Sequence, residues 1–139
     1  MNNGKALRES LNVDIPLASN HFRYMTRYII AEEDISNIMD EKYLSVVVRE
    51  PIGVVGQIVP WNFSFLMRAW KLSPFLIAGD CTIFKPSSET SLSILEFARI
   101  TKDIIPKGVL NVVALKKSRN WSIFFSLSKN IQTCFHWKH

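Results

Sequence analysis

The chain has 139 residues, a net charge of +5, and 47% hydrophobic against 21% charged residues, which fits one ordinary globular domain with an adequate core. The longest uncharged stretch, Pro51 to Met67, contains Gln57, Pro60, Asn62 and Ser64 and reads as a buried strand and turn, not a membrane span, so no membrane partner is expected. Met1-Asn2-Asn3-Gly4-Lys5 lacks the apolar core of a signal peptide, and the two distant cysteines, Cys81 and Cys134, have no metal-like spacing and suit a reducing cytoplasm.

Helical spacing runs over residues 14–33, with Phe22, Met25, Tyr28 and Ile29 on one face and Pro16 placed for the first turn. Asp34 to Glu41 reads as a polar connection. Tyr43 to Arg49 is rich in β-branched residues and reads as a strand stopped by Pro51. Ile52 to Val59 follows as a strand apolar on both faces, as in a parallel sheet covered by helices. The next helix spans Phe65 to Ala78, with Leu66, Ala69, Trp70, Leu72 and Leu76 inward, Pro74 a candidate kink and Gly79 its C-terminal cap.

Cys81 to Phe84 is a further strand, and Cys81 inside it reads as a small buried hydrophobe. Ser91 to Ile105 is a second helix with Ile94, Ala98, Thr101 and Ile105 on one face, and Ser93 with Glu96 matches a capping box. Pro106 and Gly108 end it, and Val109 to Val113 is the third strand. Strand-helix-strand-helix-strand predicts an α/β fold with a partial Rossmann-like parallel sheet, preceded by the N-terminal helix and strand.

The charge divides unevenly. Residues 1–114 hold 12 Lys/Arg and all 12 Asp/Glu, whereas Lys116, Lys117, Arg119, Lys129 and Lys138 share a tail without acids. Such a break near Ala114 suggests two origins for the chain; the bases are too thinly spread for a nucleic-acid arm, and nucleic acid is not expected as a partner. Three segments result: an N-terminal helix and strand (1–50), a partial dinucleotide-binding domain (51–114), and an aberrant basic and aromatic tail (115–139), expected to be poorly ordered.

The chemistry concentrates where two strands end. Trp61 and Asn62 follow the first parallel strand and Lys85 ends the second, at the carboxyl edge where open α/β sheets bind ligands. On residue type alone, Asn62 is more often a turn former or helix cap, Lys85 a solvated strand end, and Trp61 a core residue.

The text of residues 4–113 resembles aldehyde dehydrogenases. The likeness is carried by Gly4-Lys5, Leu7-Arg8-Glu9-Ser10, Asp14-Ile15-Pro16-Leu17-Ala18, His21-Phe22-Arg23-Tyr24, Arg49 to Ile58, Pro60-Trp61-Asn62-Phe63, Ala69-Trp70-Lys71-Leu72, Ala78-Gly79-Asp80, Lys85-Pro86-Ser87 and Pro106 to Val113. The resemblance implies oxidation of a small-molecule aldehyde to an acid with NAD or NADP as cofactor, through a Cys thiolate and a Glu-activated water. It assigns Asn62 to the oxyanion, Lys85 to the ribose or phosphate of the adenosine half, and Val59, Pro60 and Trp61 to the cofactor cleft. Ser88 stands where the family usually has a ribose-binding Glu, and Ser64 and Ser91 where Pro is common.

Neither the Gly-Gln-x-Cys segment of the nucleophile nor the Glu-Leu-Gly-Gly segment of the base occurs in this sequence. The chain alone is therefore expected to be inactive. The family's homo-oligomers also use an arm expected to be absent here. A permissible back-translation of Lys129 to His139, moved by one base, reads Lys-Ile-Ser-Lys-Leu-Ala-Phe-Thr-Gly-Ser, the family's approach to its Gly-rich cofactor turn. A frameshift near Ala114 is the expectation.

Overall fold

Three short strands set the frame: β3 (Val54–Ile58), β4 (Cys81–Lys85) and β5 (Leu110–Val112) pair in parallel in the order β3-β4-β5. They belong to a computed structural model that describes residues 4–40, 42–114 and 126, so the expected disorder of the tail lies almost wholly outside the described residues. β4 is central and buried from Cys81 to Phe84, as a strand covered on both faces must be. β3 is an edge strand on which Gly56 and Ile58 are exposed, so the expectation of two covered faces fails there.

The connecting helices are α3 (Ser64–Ile77) and α4 (Leu92–Thr101), giving the expected β-α-β-α-β order. α3 buries Leu66, Ala69 and Leu72. Trp70, expected inward, is 49% exposed and meets His21 edge-on at 6.5 Å, because one residue of helix rotates it off the face of Ala69. Arg68 and Ser73 are buried in its stead. Val59, Leu72, Phe84 and Ile94 form the main core, and Ala18, Leu66 and Ala69 a second cluster; Phe22 packs against both.

α3 ends as Gly79 predicts. Gly79 has φ +81°, its N–H donates to the Leu76 carbonyl at 3.3 Å, and the Asp80 N–H reaches back to the Phe75 carbonyl at 2.9 Å. The turn delivers Asp80, 2% exposed, to the base of the sheet, where its Oδ1 accepts the Gly53 N–H at 2.8 Å. Cys81 N–H donates to the Gly53 carbonyl at 2.8 Å, so β3 and β4 start in fixed register.

Three local expectations are corrected. Helix begins at Leu7, not residue 14: α1 (Leu7–Glu9) passes through a π-helical turn (Ser10–Asp14) into α2 (Ile15–Ala31), with Pro16 in the first turn of α2 as expected. Ala18 is the buried residue of α2, whereas Tyr28 and Ile29 are exposed, because the core cluster takes the Ala18 and Phe22 end of the helix. The supposed connection before Tyr43 contains β1 (Ser36–Asp40), paired antiparallel with β2 (Tyr43–Val46). Every residue of β1 is exposed, so it has no apolar alternation for sequence to display.

The capping box is also absent. Ser93 Oγ accepts from the Arg68 guanidinium, and Glu96 pairs with Arg99 at 2.6 Å. α4 stops at Thr101, whose carbonyl accepts the N–H groups of Ile104 and Ile105 at 3.0 and 2.8 Å in a closing turn.

Arg68 ties α3 to the turn before α4: it donates to Ser93 Oγ, to the Thr90 carbonyl and, at 3.3 Å, to Thr90 Oγ1. Burial pushes the Arg68 guanidinium down to about 10, which leaves it charged at neutral pH. Arg68→Met removes a buried charge but strands the Thr90 carbonyl and the Ser93 hydroxyl. A loss of about 2 kcal/mol in urea unfolding is expected, on the scale of a deserted buried polar group; an unchanged midpoint would show that these bonds contribute nothing.

Candidate functional site

Parallel register brings the ends of β3 and β4 side by side, with Ile58 opposite Lys85. The ladder continues one residue past β3: Val59 N–H donates to the Lys85 carbonyl at 3.1 Å. Val59 itself is 2% exposed and anchors the edge in the core. Beyond it Pro60, which has no N–H to continue the ladder, turns the chain outward.

Trp61 is 65% exposed, so its indole stands at the edge and not in the core. Asn62 is exposed beside it, and its amide makes no hydrogen bond among the described residues. α3 begins without a side-chain cap, so Asn62 is not its capping residue. Phe63 completes the turn at φ +44°, the one non-glycine residue with positive φ among the described residues.

The second strand delivers its groups alongside. Lys85 is half-buried and enters no ion pair among the described residues, which leaves its ammonium able to meet an anion. Pro86 is buried and fixes the exit. Ser87 Oγ then accepts the Glu89 N–H at 3.4 Å and opens a 3-10 turn, Ser88–Thr90. Ser88 is exposed at its start and donates to Glu89 Oε1 at 3.4 Å. Sequence reasoning did not single out Glu89, whose carboxylate accepts the Ser88 hydroxyl; only that side-chain contact brings it to notice.

The fold therefore gathers Val59, Pro60, Trp61 and Asn62 on one turn and Lys85 and Ser88 on its neighbour. Cys81 is excluded from this edge. It pairs with Val54 at the opposite end of the strands, is 2% exposed, and lies roughly 13 Å down the strand from Lys85 at the usual β rise. Among the described residues no group of three His, Cys, Asp or Glu side chains could hold a metal, and no helix is long and apolar enough to cross a membrane. An exposed amide, an indole face and an uncompensated ammonium around a strand edge suit an anionic ligand with a flat ring and a developing oxyanion nearby.

Comparison with known proteins identifies the family of the chain. The aldehyde dehydrogenase family model matches residues 1–124. An acetaldehyde dehydrogenase of Pseudomonas aeruginosa is 50% identical over 111 residues, 80% of this chain and 22% of that protein. The structure superposes on the aldehyde dehydrogenase KauB of Pseudomonas aeruginosa with a TM-score of 0.77 at 40% identity, covering 81% of this chain and 23% of that one. An NAD+ complex of an aldehyde dehydrogenase from Bacillus cereus gives a TM-score of 0.77 at 35% identity, with the same coverage of 81% and 23%. The chain thus spans under a quarter of the length of the relatives it matches. With most of its residues matched by the family model, the chain belongs to the aldehyde dehydrogenase family.

Proposed function

We propose that this chain carries the opening part of an NAD(P)+-dependent aldehyde dehydrogenase site, an oxidoreductase taking an aldehyde to a carboxylic acid. The observation that carries this reading is the Val59–Lys85 bond of 3.1 Å, which sets Asn62 and Trp61 beside Lys85 and Ser88 at one sheet edge. The free Asn62 amide would donate to the oxyanion formed when an aldehyde carbonyl is attacked, a fixed dipole that needs no reorganisation during reaction. Lys85 would hold the phosphate or ribose of the dinucleotide's adenosine half, with Val59, Pro60 and Trp61 as the cleft wall. The dinucleotide, when bound, supplies the hydride acceptor.

The sequence offers no Gly-Gln-x-Cys nucleophile segment and no Glu-Leu-Gly-Gly base segment, so the chain by itself binds without turning over. Ser88 cannot supply a carboxylate to the ribose, and its neutrality leaves NAD+ and NADP+ nearly equivalent ligands. We place the protein in the cytoplasm on the strength of two cysteines far apart in the sequence, Cys81 and Cys134, without metal-like spacing. The basic tail is read as a frameshifted segment beginning near Ala114. The coding DNA tests this: the family's Gly-rich approach appears in another frame, and its absence from both would refute it.

A second reading has the exposed β1–β2 hairpin, with Ile38 83% and Leu44 64% exposed, pairing the chain with intact subunits of the family. Co-elution with a full-length relative supports it, and separate elution at micromolar concentration refutes it.

Titration calorimetry with NAD+ and NADP+ tests the main reading. The chain is expected to give saturable heats with both, and Lys85→Met to weaken each by about tenfold, the loss of roughly 1.4 kcal/mol that one charge-assisted contact carries. No saturable heat with either nucleotide refutes the reading. Ser88→Glu is expected to tighten NAD+ by about threefold through ribose hydrogen bonds and to weaken NADP+ by repulsion of its 2′-phosphate; equal shifts for both nucleotides would remove Ser88 from the adenosine site.

A further inference from the structure

Phe63, next to Asn62, is held at φ +44° and ψ +40°. A side chain with a Cβ is disfavoured in this left-handed region, and such a residue persists only where its surroundings over-determine it. Within the chain, its carbonyl accepts the Met67 N–H at 2.8 Å, the first bond of α3. That bond alone does not select the left-handed turn.

The second constraint comes from the far end of the sequence. Lys5 Nζ lies 4.7 Å from the centroid of the Phe63 ring, at the distance of a cation–π contact. The same ammonium donates to Asp14 Oδ1 at 2.7 Å. Asp14 closes the π-helical turn and its side chain is only 3% exposed; that of Lys5 is 19% exposed. Such turns inside helices are frequent at functional sites. The last residue of this one supplies the carboxylate that holds Lys5 over the ring.

We propose that Lys5 is a positioning residue for Asn62, acting through the buried Asp14 and the Phe63 ring to hold the turn that aims the Asn62 amide. This rests on the reading of Asn62 as an oxyanion donor, yet its structural content is independent of any ligand. It assigns the N-terminal segment a role in the geometry of the sheet edge.

Amide hydrogen exchange tests it on the full chain without nucleotide. Lys5→Met keeps the aliphatic stem and removes the charge. The Met67 amide is expected to exchange about tenfold faster, while the Thr82 amide, bonded to Val109 in the sheet, holds its rate. Lys5→Arg restores the Met67 rate, since a guanidinium keeps both the ion pair and the ring contact. Asp14→Asn reproduces the Lys5→Met effect, and the double variant adds nothing further, as members of one unit behave. Should Lys5→Met not fold, Phe63→Leu leaves the ion pair in place and gives the same selective loss at Met67. An unchanged Met67 rate, acceleration of Thr82 by the same factor, or failure of arginine to rescue overturns the proposal. A chain that binds no dinucleotide refutes the proposed function and leaves this comparison standing.

Discussion

One backbone hydrogen bond, from Val59 N–H to the Lys85 carbonyl, decides the geometry of the strand edge. It is the last rung between β3 and β4, and every group with chemistry to offer hangs from the residues just beyond it. Its strength is ordinary, about 1 kcal/mol net. Its influence comes from position: parallel strands must end in register for two turns to face one ligand, and a slip of one residue would turn each side chain to the other face. Register is set at the opposite end, where buried Asp80 accepts the Gly53 N–H and Cys81 N–H meets the Gly53 carbonyl.

Buried polar groups, more than apolar ones, make this small sheet specific. Val59, Leu72, Phe84 and Ile94 exclude water but have no directional preference. Arg68 has one. By gripping Thr90 and Ser93 it fixes the turn that carries Ser88 to the helix that starts just after Asn62. Lys5 and Asp14 perform the corresponding task from the N-terminal side. Two ammonium or guanidinium groups, each drawn from an element outside the sheet, thus brace the two turns of the edge.

The parallel sheet and its helices were legible because buried strands and amphipathic helices write their environment into residue type. β4 is buried from Cys81 to Phe84, and Gly79 marks a helix end that only a residue without Cβ tolerates easily. Asn62, Lys85 and Ser88 were found through family likeness; periodicity only placed them near a strand end. What stayed hidden had no apolar signature. β1 is solvated on all sides, the helix from Leu7 contains a π-helical turn that breaks 3.6-residue spacing, and Arg68 reads as a surface residue until its partners are seen. Trp70 misled for the converse reason, since a large apolar side chain turned outward looks like core.

Exchange of the Val59 amide is the most direct measurement of the account. A rung that joins the two turns protects this N–H to nearly the same degree as Thr82 N–H in the centre of the sheet. Exchange at the rate of a solvated amide, with Thr82 still protected, would mean that the edge is open and that Asn62 and Lys85 do not share a site.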